Sequence, residues 1–522
     1  MTQPSNVPSR PHLAILAVIL LVAAYFRFDQ IAAPSLWMDE IWSSEMAMGH
    51  GSLHDRLPAN AIHNDQPDPT GLAHAAPSWS ILTHLGGVTH PPLYFLILRW
   101  WMDLFGTGAT ATRSLSAIFS LTGIIVFFDV CRFLHGPRIA LFAAAISALA
   151  IAQLDFAQEA RGYPMLIFFG LCCADMVIRI EFQGPTKCRL IALMIFLIAT
   201  ALTHYLSAGA LMALAIYAAL RLRGRARIQT AVAFTSAAIL ILTVWIPLFI
   251  EQKHTLPSLA PTFLREARVA DHTRMTLYRI IGLPAQYLLG ESRGDALTSR
   301  LVLAIFLFTL VLPAIRLIRQ RVLLLWVLWG WGTIGFVAAL DLAHQTTLVG
   351  YVRYTILASP AVYAVIAAFD WPKRPFIRDA VAISAISLLT IVAIQRNIDG
   401  VPPKEDWRTL AHDLNASAGP DDLLVFYNND PWTSPGTWYM NFKYFIPDSH
   451  RPWLILTAPA NPDLLQKLQP RHLLWLIGRY PEIQGPRLLP GWLPADTEEQ
   501  TTAGAFCPMV PLVPAPTARP HP

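Results

Sequence analysis

Ser35-Leu36-Trp37-Met38-Asp39-Glu40-Ile41-Trp42-Ser43 begins a few residues beyond the apolar run 13–28 and sets two adjacent carboxylates between two tryptophans. Tryptophan collects at the headgroup level of a bilayer. If 13–28 crosses a membrane, Trp37 and Trp42 therefore hold Asp39 and Glu40 at its edge. Two readings of that acid pair stay open: a solvated loop, or a site where a lipid-borne and a water-borne substrate meet.

The surrounding chain supports the membrane. Of 522 residues, 54% are hydrophobic and 14% charged, against roughly 25% charged in an ordinary soluble domain. A helix needs about 20 apolar residues to cross the hydrocarbon core, and several runs reach that length. The first lacks a small-x-small cleavage pattern at its exit, where Arg27 and Phe28 stand, so it reads as a retained anchor. Five cysteines show no paired spacing for zinc or redox work.

Basic residues orient the spans. Clusters recur at 132–138, 179–189, 221–227, 316–321 and 373–378, whereas Arg56 is the sole lysine or arginine between Arg27 and Arg99. The positive-inside rule puts these clusters in the cytoplasm and Asp39 outside. The net charge of +5 thus reports topology rather than nucleic-acid binding. Eleven spans satisfy the pattern: 12–28, 112–131, 139–154, 163–180, 189–203, 206–221, 229–249, 300–316, 322–340, 352–369 and 376–395. Counting 91–105 as a span would invert every later loop. With Arg99 and Asp103 on one face, it is expected to lie along the interface within a long outer loop, 29–111.

The outer loop 251–299 departs from the charge rule. Its Lys253, Arg265, Arg268, Arg274, Arg279 and Arg293 suit either a solvated amphipathic helix or a phosphate-binding surface. After residue 396 the long apolar runs stop. Helix at 405–414, a turn at 419–421 and strand-like runs at 423–427, 453–456 and 473–477 predict a small α/β domain over 397–522 with an unstructured, proline-rich tail. The membrane part is then 1–396.

The unusual polar residues fall on the outer side: Asp39, Glu40, His90, Asp155, Glu159, Arg161, His204 and Arg353. Ionisable groups at span ends on one face suggest a site there rather than a path through the bilayer. Acids beside arginines suit a reaction in which one group loses a proton while another gains negative charge. His50, His54, His63, His74 and His84 match no zinc spacing and read as loop polar residues.

Four motifs occur in order: Trp37-Met38-Asp39-Glu40, His90-Pro91-Pro92-Leu93-Tyr94, Gln158-Glu159-Ala160-Arg161-Gly162-Tyr163 and Arg353-Tyr354. Over about 10–370 the chain resembles the GT-C glycosyltransferases that use polyprenyl-phosphate sugars. It looks most like the bacterial group with lipopolysaccharide galacturonosyltransferases and the aminoarabinose transferase, with protein O-mannosyltransferases as relatives. Asp406-Trp407-Arg408 also resembles that group. Gly162 departs from it, standing where a large residue is common.

The resemblance implies a GT-C-like membrane protein that moves a sugar from a polyprenyl-phosphate monosaccharide, with inversion, to a hydroxyl on a glycan, lipid or protein acceptor. It places this in a bacterial inner membrane, facing the periplasm. Asp39 matches the general base and Glu40 a second acid that positions the acceptor or holds a divalent metal ion, which the residues leave open. Arg161 and Arg353 suit the leaving phosphate, since a guanidinium pairs two phosphate oxygens and stays charged. His90, Asp155, Glu159, Tyr163, His204 and Tyr354 are candidate substrate contacts. For His90 a helix cap, for His204 an interhelical hydrogen bond, and for Glu159 a pairing with Arg161 are equally simple roles. A transporter of lipid-linked sugars is the competing reading, and it requires ionisable or broken-helix features at the bilayer midplane.

Overall fold

The computed structural model describes residues 7–85, 88, 90–255, 272–316, 321–369, 374–427, 434–469, 471, 473–478, 487–495 and 509–515. They form two compact units. One comprises Met1–Ile31, Thr89–Trp101 and Gly108–Val401; the other comprises Ala32–Val88, Met102–Thr107 and Pro402–Pro522.

The first unit is a bundle of apolar helices, and the chain is a multi-pass α-helical membrane protein. Among the described residues, six helices are long and apolar enough to cross a membrane: Arg10–Phe28, Ala109–His135, Gly224–Ile246, Ser299–Arg316, Leu324–His344 and Phe376–Asp399. A seventh results if Pro137–Leu149 and Ile151–Ala157, bent by 58°, count as one. Helix also fills the other expected segments, at Tyr163–Gln183, Lys187–Thr203, Tyr205–Arg221 and Val352–Ala368.

Burial sorts central from peripheral helices. Ala109–His135 and Leu324–His344 bury about half of their apolar stretch, while Phe376–Asp399 buries 17% and turns Phe376, Ile383 and Ile391 outward. Such outward apolar faces suit lipid, which gives them nothing to escape from. The centre is filled by Phe127, Trp326, Trp329 and Tyr363. Polar groups at this depth have to be satisfied within the protein. Arg27 shows how: its guanidinium donates to Ser120 Oγ at 2.8 Å, Ala148 O at 2.9 Å and Ala23 O at 3.1 Å. The bend at Ala150, whose backbone is extended (φ −60°, ψ 126°), turns the chain so that Ile151–Ala157 delivers residues 158–162 to one end of the bundle.

His272–Leu289 is amphipathic, but it buries Ile280, Leu283 and Tyr287 rather than standing in solvent. Arg265 and Arg268 lie outside the described residues, as does Lys373 of the last basic cluster. Leu93–Phe105 is helical as expected; it buries Tyr94, Phe95, Leu98 and Met102 and exposes Trp100, Leu104 and Phe105.

The second unit holds a six-stranded sheet in the order β1-β3-β2-β4-β6-β5, with β1 at Ile62–His63, β2 at Leu423–Tyr427, β3 at Trp453–Leu456, β4 at Leu474–Ile477, β5 at Trp492–Pro494 and β6 at Met509–Pro514. The three central strands are parallel, with Val425 opposite both Leu454 and Leu476. Parallel strands are covered on both faces and read as unbroken apolar runs. Helix Pro435–Phe445 brings Trp438, Tyr439 and Phe442 to one face with Phe426 and Trp453, while Pro462–Leu468 sets Leu464 and Leu468 on the other with Val425 and Leu454.

Two expectations change here. A division at 396/397 assigns all of 29–111 to the membrane part, yet Ala32–Val88 and Met102–Thr107 fold with the C-terminal residues. β1 pairs antiparallel with β3, Trp453 Nε1 donates to Asp65 O at 2.6 Å, and Tyr439 donates to Pro67 O at 3.0 Å. Nor is the proline-rich end wholly unstructured: β6 pairs antiparallel with β4 because Met509, Val510 and Leu512 bury against the sheet. Residues 516–522 lie outside the described residues.

His54 is not a loop polar residue either. It is buried, with Nδ1 2.6 Å from Glu45 Oε2 and its backbone N–H donating to Glu45 Oε1 at 2.8 Å. Burial opposes its charge, but attraction to Glu45, their hydrogen bond and Asp55 outweigh that and raise its pKa above 6.5. A raised folded-state pKa gives stability that is complete below the unfolded value and is lost as pH climbs through the folded one. Melting temperature should therefore fall as pH rises above the ordinary imidazole value and through the raised one, and His54→Gln should flatten that dependence. Unchanged pH dependence in thermal melts of the variant would refute the pairing.

Candidate functional site

Three polar side chains are carried to one end of the membrane unit by breaks in its helices. The turn 158–162 is pinned first. Gln158 Nε2 donates to Phe26 O at 3.1 Å and Asp29 O at 2.9 Å, and Ser116 Oγ donates to Arg161 O at 2.9 Å. Pro164 then opens helix Tyr163–Gln183, its missing N–H harmless in a first turn. At Gly162 a β-carbon would stand 3.1 Å from Cγ of Tyr94, so the small residue makes room for that ring.

His204 follows helix Lys187–Thr203 in an extended conformation, and its Nδ1 accepts from Leu206 N at 3.2 Å. This fixes the ring and leaves Nε2 buried with no hydrogen-bond partner. Arg353 sits on the short helix Val352–Thr355, which the bundle holds from several sides. Val352 N donates to Glu291 Oε1 at 2.9 Å, Tyr287 donates to Thr355 O at 3.0 Å, and Trp329 Nε1 donates to Leu357 O at 2.5 Å. Just upstream, buried Asp341 accepts from Thr346 Oγ1, Leu348 N and Val349 N at 2.6–2.8 Å. Glu291 had no signature in the sequence, because it accepts from backbone 61 residues along the chain, and Asp341 holds the turn that follows its own helix.

His90, Arg161, Tyr163 and His204 line one narrow pocket with Tyr94 and Phe95. Arg161 Nη2 lies 3.3 Å from His90 Nε2, and the rings of His90 and His204 meet edge to face at 5.2 Å. The His204 ring lies 6.0 Å from Tyr163 and 6.3 Å from Tyr354. The Arg353 guanidinium lies over Tyr354 at 5.1 Å and Tyr351 at 5.2 Å. Burial and the fields of Arg161 and Arg353 drive the pKa of His204 down to about 3 and that of His90 well below 6.5. Both imidazoles are neutral at physiological pH, so the two guanidinium groups supply the positive charge. About 10 Å³ stays free, room for one water; the pocket admits an oxygen of a ligand rather than a sugar ring.

Asp155 and Glu159 differ. Asp155 accepts from Arg396 Nε at 2.8 Å while Arg396 Nη2 donates to Gln158 Oε1 at 3.0 Å, so its carboxylate joins helix Pro375–Asp399 to the turn instead of lining the pocket. Glu159 is buried beside Arg161, whose backbone N–H donates to its carbonyl at 2.8 Å; its side chain does not line the pocket.

The second unit holds Asp39 and Glu40, both in the first turn of helix Met38–Ala47. Carboxylates there complement the positive end of the helix. Glu40 is fully buried and accepts from Trp37 N at 3.3 Å, so it caps its own helix. Asp39 is half-buried. The chain before it is clamped from Glu405-Asp406-Trp407-Arg408. Glu405 Oε2 accepts from Met38 N at 2.8 Å and Trp407 Nε1 at 2.7 Å. Arg408 donates to the carbonyls of Ala32 and Ala33 at 2.9 Å, and its own backbone N–H donates to Ser35 Oγ at 3.2 Å. Lys404 lies over Trp37 at 4.2 Å. Among the described residues no three His, Cys, Asp or Glu side chains gather as a metal site.

Burial, then the nearby charge of Asp39, raise the Glu405 pKa above 4.5 against its two hydrogen bonds and Lys404. A raised carboxylate pKa means the folded state loses stability as pH rises from the unfolded value through the folded one. Glu405→Gln keeps an oxygen for Met38 and Trp407 and removes that charge. It should melt above the parent at pH 7.5 and equal to it at pH 4; a lower melting point at pH 7.5 would show that the carboxylate stabilises the clamp.

Known proteins share features of both sequence and fold. Residues 89–250 match the family model for dolichyl-phosphate-mannose-protein mannosyltransferases. ArnT from Cupriavidus metallidurans in the apo state is similar over 96% of this chain and 97% of its own, at 12% identity and a TM-score of 0.56. The same protein bound to undecaprenyl phosphate is similar over 97% and 98%, at 11% identity and a TM-score of 0.54. No curated protein matches by sequence. These likenesses show that the chain has the fold of the GT-C membrane glycosyltransferases.

Proposed function

We propose that this GT-C-fold chain transfers a sugar from a polyprenyl-phosphate donor to an acceptor hydroxyl, with inversion, on the periplasmic face of a bacterial inner membrane. One observation carries the reading: Arg161 and Arg353 both bear on a buried group of neutral imidazoles and tyrosines. A desolvated cationic setting without a carboxylate in its lining suits an anion, and a guanidinium offers paired donors to phosphate. The undecaprenyl phosphate named for the similar ArnT structure agrees with that chemistry.

In the proposed step an acceptor oxygen forms a bond to the anomeric carbon as the bond from that carbon to the phosphate oxygen breaks. Asp39 takes the hydroxyl proton, and the electron pair leaves with the phosphate. Arg161 and Arg353 stabilise that developing charge, which is commonly the largest catalytic contribution. His204 Nε2 and Tyr354 orient the phosphate oxygens. Glu40, Glu405 and Arg408 act at one remove, holding the first turn that carries Asp39. If a divalent metal ion takes part, the acidic pair Asp39 and Glu40 would hold it and it would supply further positive charge to the reaction; EDTA abolishing turnover and Mg²⁺ restoring it would test this.

Asp39→Asn keeps shape and hydrogen-bonding reach but removes the proton acceptor. It should lower turnover by about 10²–10⁴-fold and leave donor binding largely intact. Arg353→Ala should damage both binding and turnover, with lysine restoring only part of the loss because a point charge lacks the paired geometry. Turnover of a polyprenyl-phosphate monosaccharide by membrane-inserted protein decides it; parent-like activity in Asp39→Asn would sink the assignment.

The sidedness rests on eleven crossings. Cysteine labelling in sealed vesicles should reach positions 64, 290 and 427 from the periplasmic side and position 224 from the cytoplasmic side. Labelling of 224 and 290 from the same side would overturn the topology.

A further inference from the structure

The second unit contains a cleft of about 610 Å³ on the outer side of helix Trp407–Ser417, walled by the segment after helix Pro435–Phe445. We infer that it binds an anionic saccharide. Its use to dock the acceptor glycan rests on the transferase reading above; the binding itself does not.

Charge carries the argument. Arg408 and Arg451 line the cleft, and both are spent on neutral oxygens. Arg408 donates to the carbonyls of Ala32, Ala33 and Pro34. Arg451 donates to Gly419 O at 2.9 Å, Ala418 O at 2.8 Å and Asn415 Oδ1 at 2.9 Å. These bonds fix two guanidinium groups without cancelling their charge. Behind the wall, buried Lys443 donates to the carbonyl of Ser449 at 3.0 Å. His412 and His450 add exposed imidazoles at the rim.

Against these stands Asp448, the sole carboxylate among the described lining residues. Nearby, Asp68 and Asp448 act on Lys443, and Asp413 lies 3.6 Å from His412. The lining itself still carries one net positive charge before the histidines are counted. A concave wall of low dielectric concentrates such a field.

Size and surface narrow the ligand. A volume of about 610 Å³ falls within the usual range for small-molecule sites, about 300–1,000 Å³, and exceeds what a single phosphate ion fills. The half-buried faces of Phe445 and Ile446 lie among polar side chains. A pyranose offers the matching mixture, with an apolar C–H face and a rim of hydroxyls. An acidic sugar adds the carboxylate or phosphate that the cations require.

The test uses the full chain in nanodiscs, carrying Asp39→Asn so that turnover plays no part. Calorimetric titration compares tri-galacturonate and maltotriose phosphate with neutral maltotriose and inorganic phosphate. Both acidic trisaccharides should bind at least tenfold more tightly than either control. Removing the lining carboxylate by Asp448→Asn should tighten acidic ligands severalfold and leave maltotriose unchanged, a gain that misfolding cannot produce. His450→Glu should weaken them severalfold with an unaltered melt. Equal binding of neutral and acidic sugars, inorganic phosphate as tight as the trisaccharides, or no gain from Asp448→Asn would overturn the inference. Acidic trisaccharides bound tightly by a protein whose parent form turns over no donor would leave the cleft standing and remove the transferase reading instead.

Discussion

A guanidinium group cannot shed its charge, and burying one obliges its surroundings to adapt. Arg161 is almost wholly buried beside His90, and both it and Arg353 act on His90 and His204. The imidazoles respond by staying neutral, and the neighbouring tyrosines turn ring faces toward the cations. The cationic groups bearing on the pocket are therefore the two guanidiniums and not the imidazoles. Everything around it serves to hold these residues still: the pinned turn at 158–162, the extended backbone at His204 and the capped segment before Arg353.

The same economy of polar groups shapes the interior of the bundle. Arg27 ends its bonds on a hydroxyl and backbone carbonyls, Asp155 on Arg396, and Asp341 on two backbone N–H groups and a threonine. In lipid an unsatisfied polar atom has no water to turn to. Ionisable residues at membrane depth are often read as functional; here several act as fasteners between helices. The distinction matters for Asp155, which looked like a site acid by position yet faces a partner on a distant helix.

In the second unit, the carboxylate pair of the opening motif divides its labour. Glu40 turns inward to its own helix end, and Asp39 stays half-exposed. Glu405 and Arg408 reach across from the C-terminal part of the chain to fix the backbone that carries them. Arg408 also lines the cleft, so one guanidinium serves both the clamp and the electrostatics of that surface.

By itself the sequence determined the membrane class, the helical segments, the central strands and the order of the chemical motifs. Those arise from hydropathy, period and residue type, which act over a few turns of chain. Tertiary structure alone decided which ionisable groups converge. His90, Arg161, His204 and Tyr354 come from four separate stretches and meet because helices break at Ala150, Thr203 and Tyr351. Asp155 leaves that group and pairs with Arg396 of a distant helix. The first outer loop joins the C-terminal sheet because Ile62 and His63 find an open edge at Leu454 and Trp453, and His54 becomes a core ion pair because Glu45 lies under it. Each is a pairing across the fold, and local pattern carries no record of its partner.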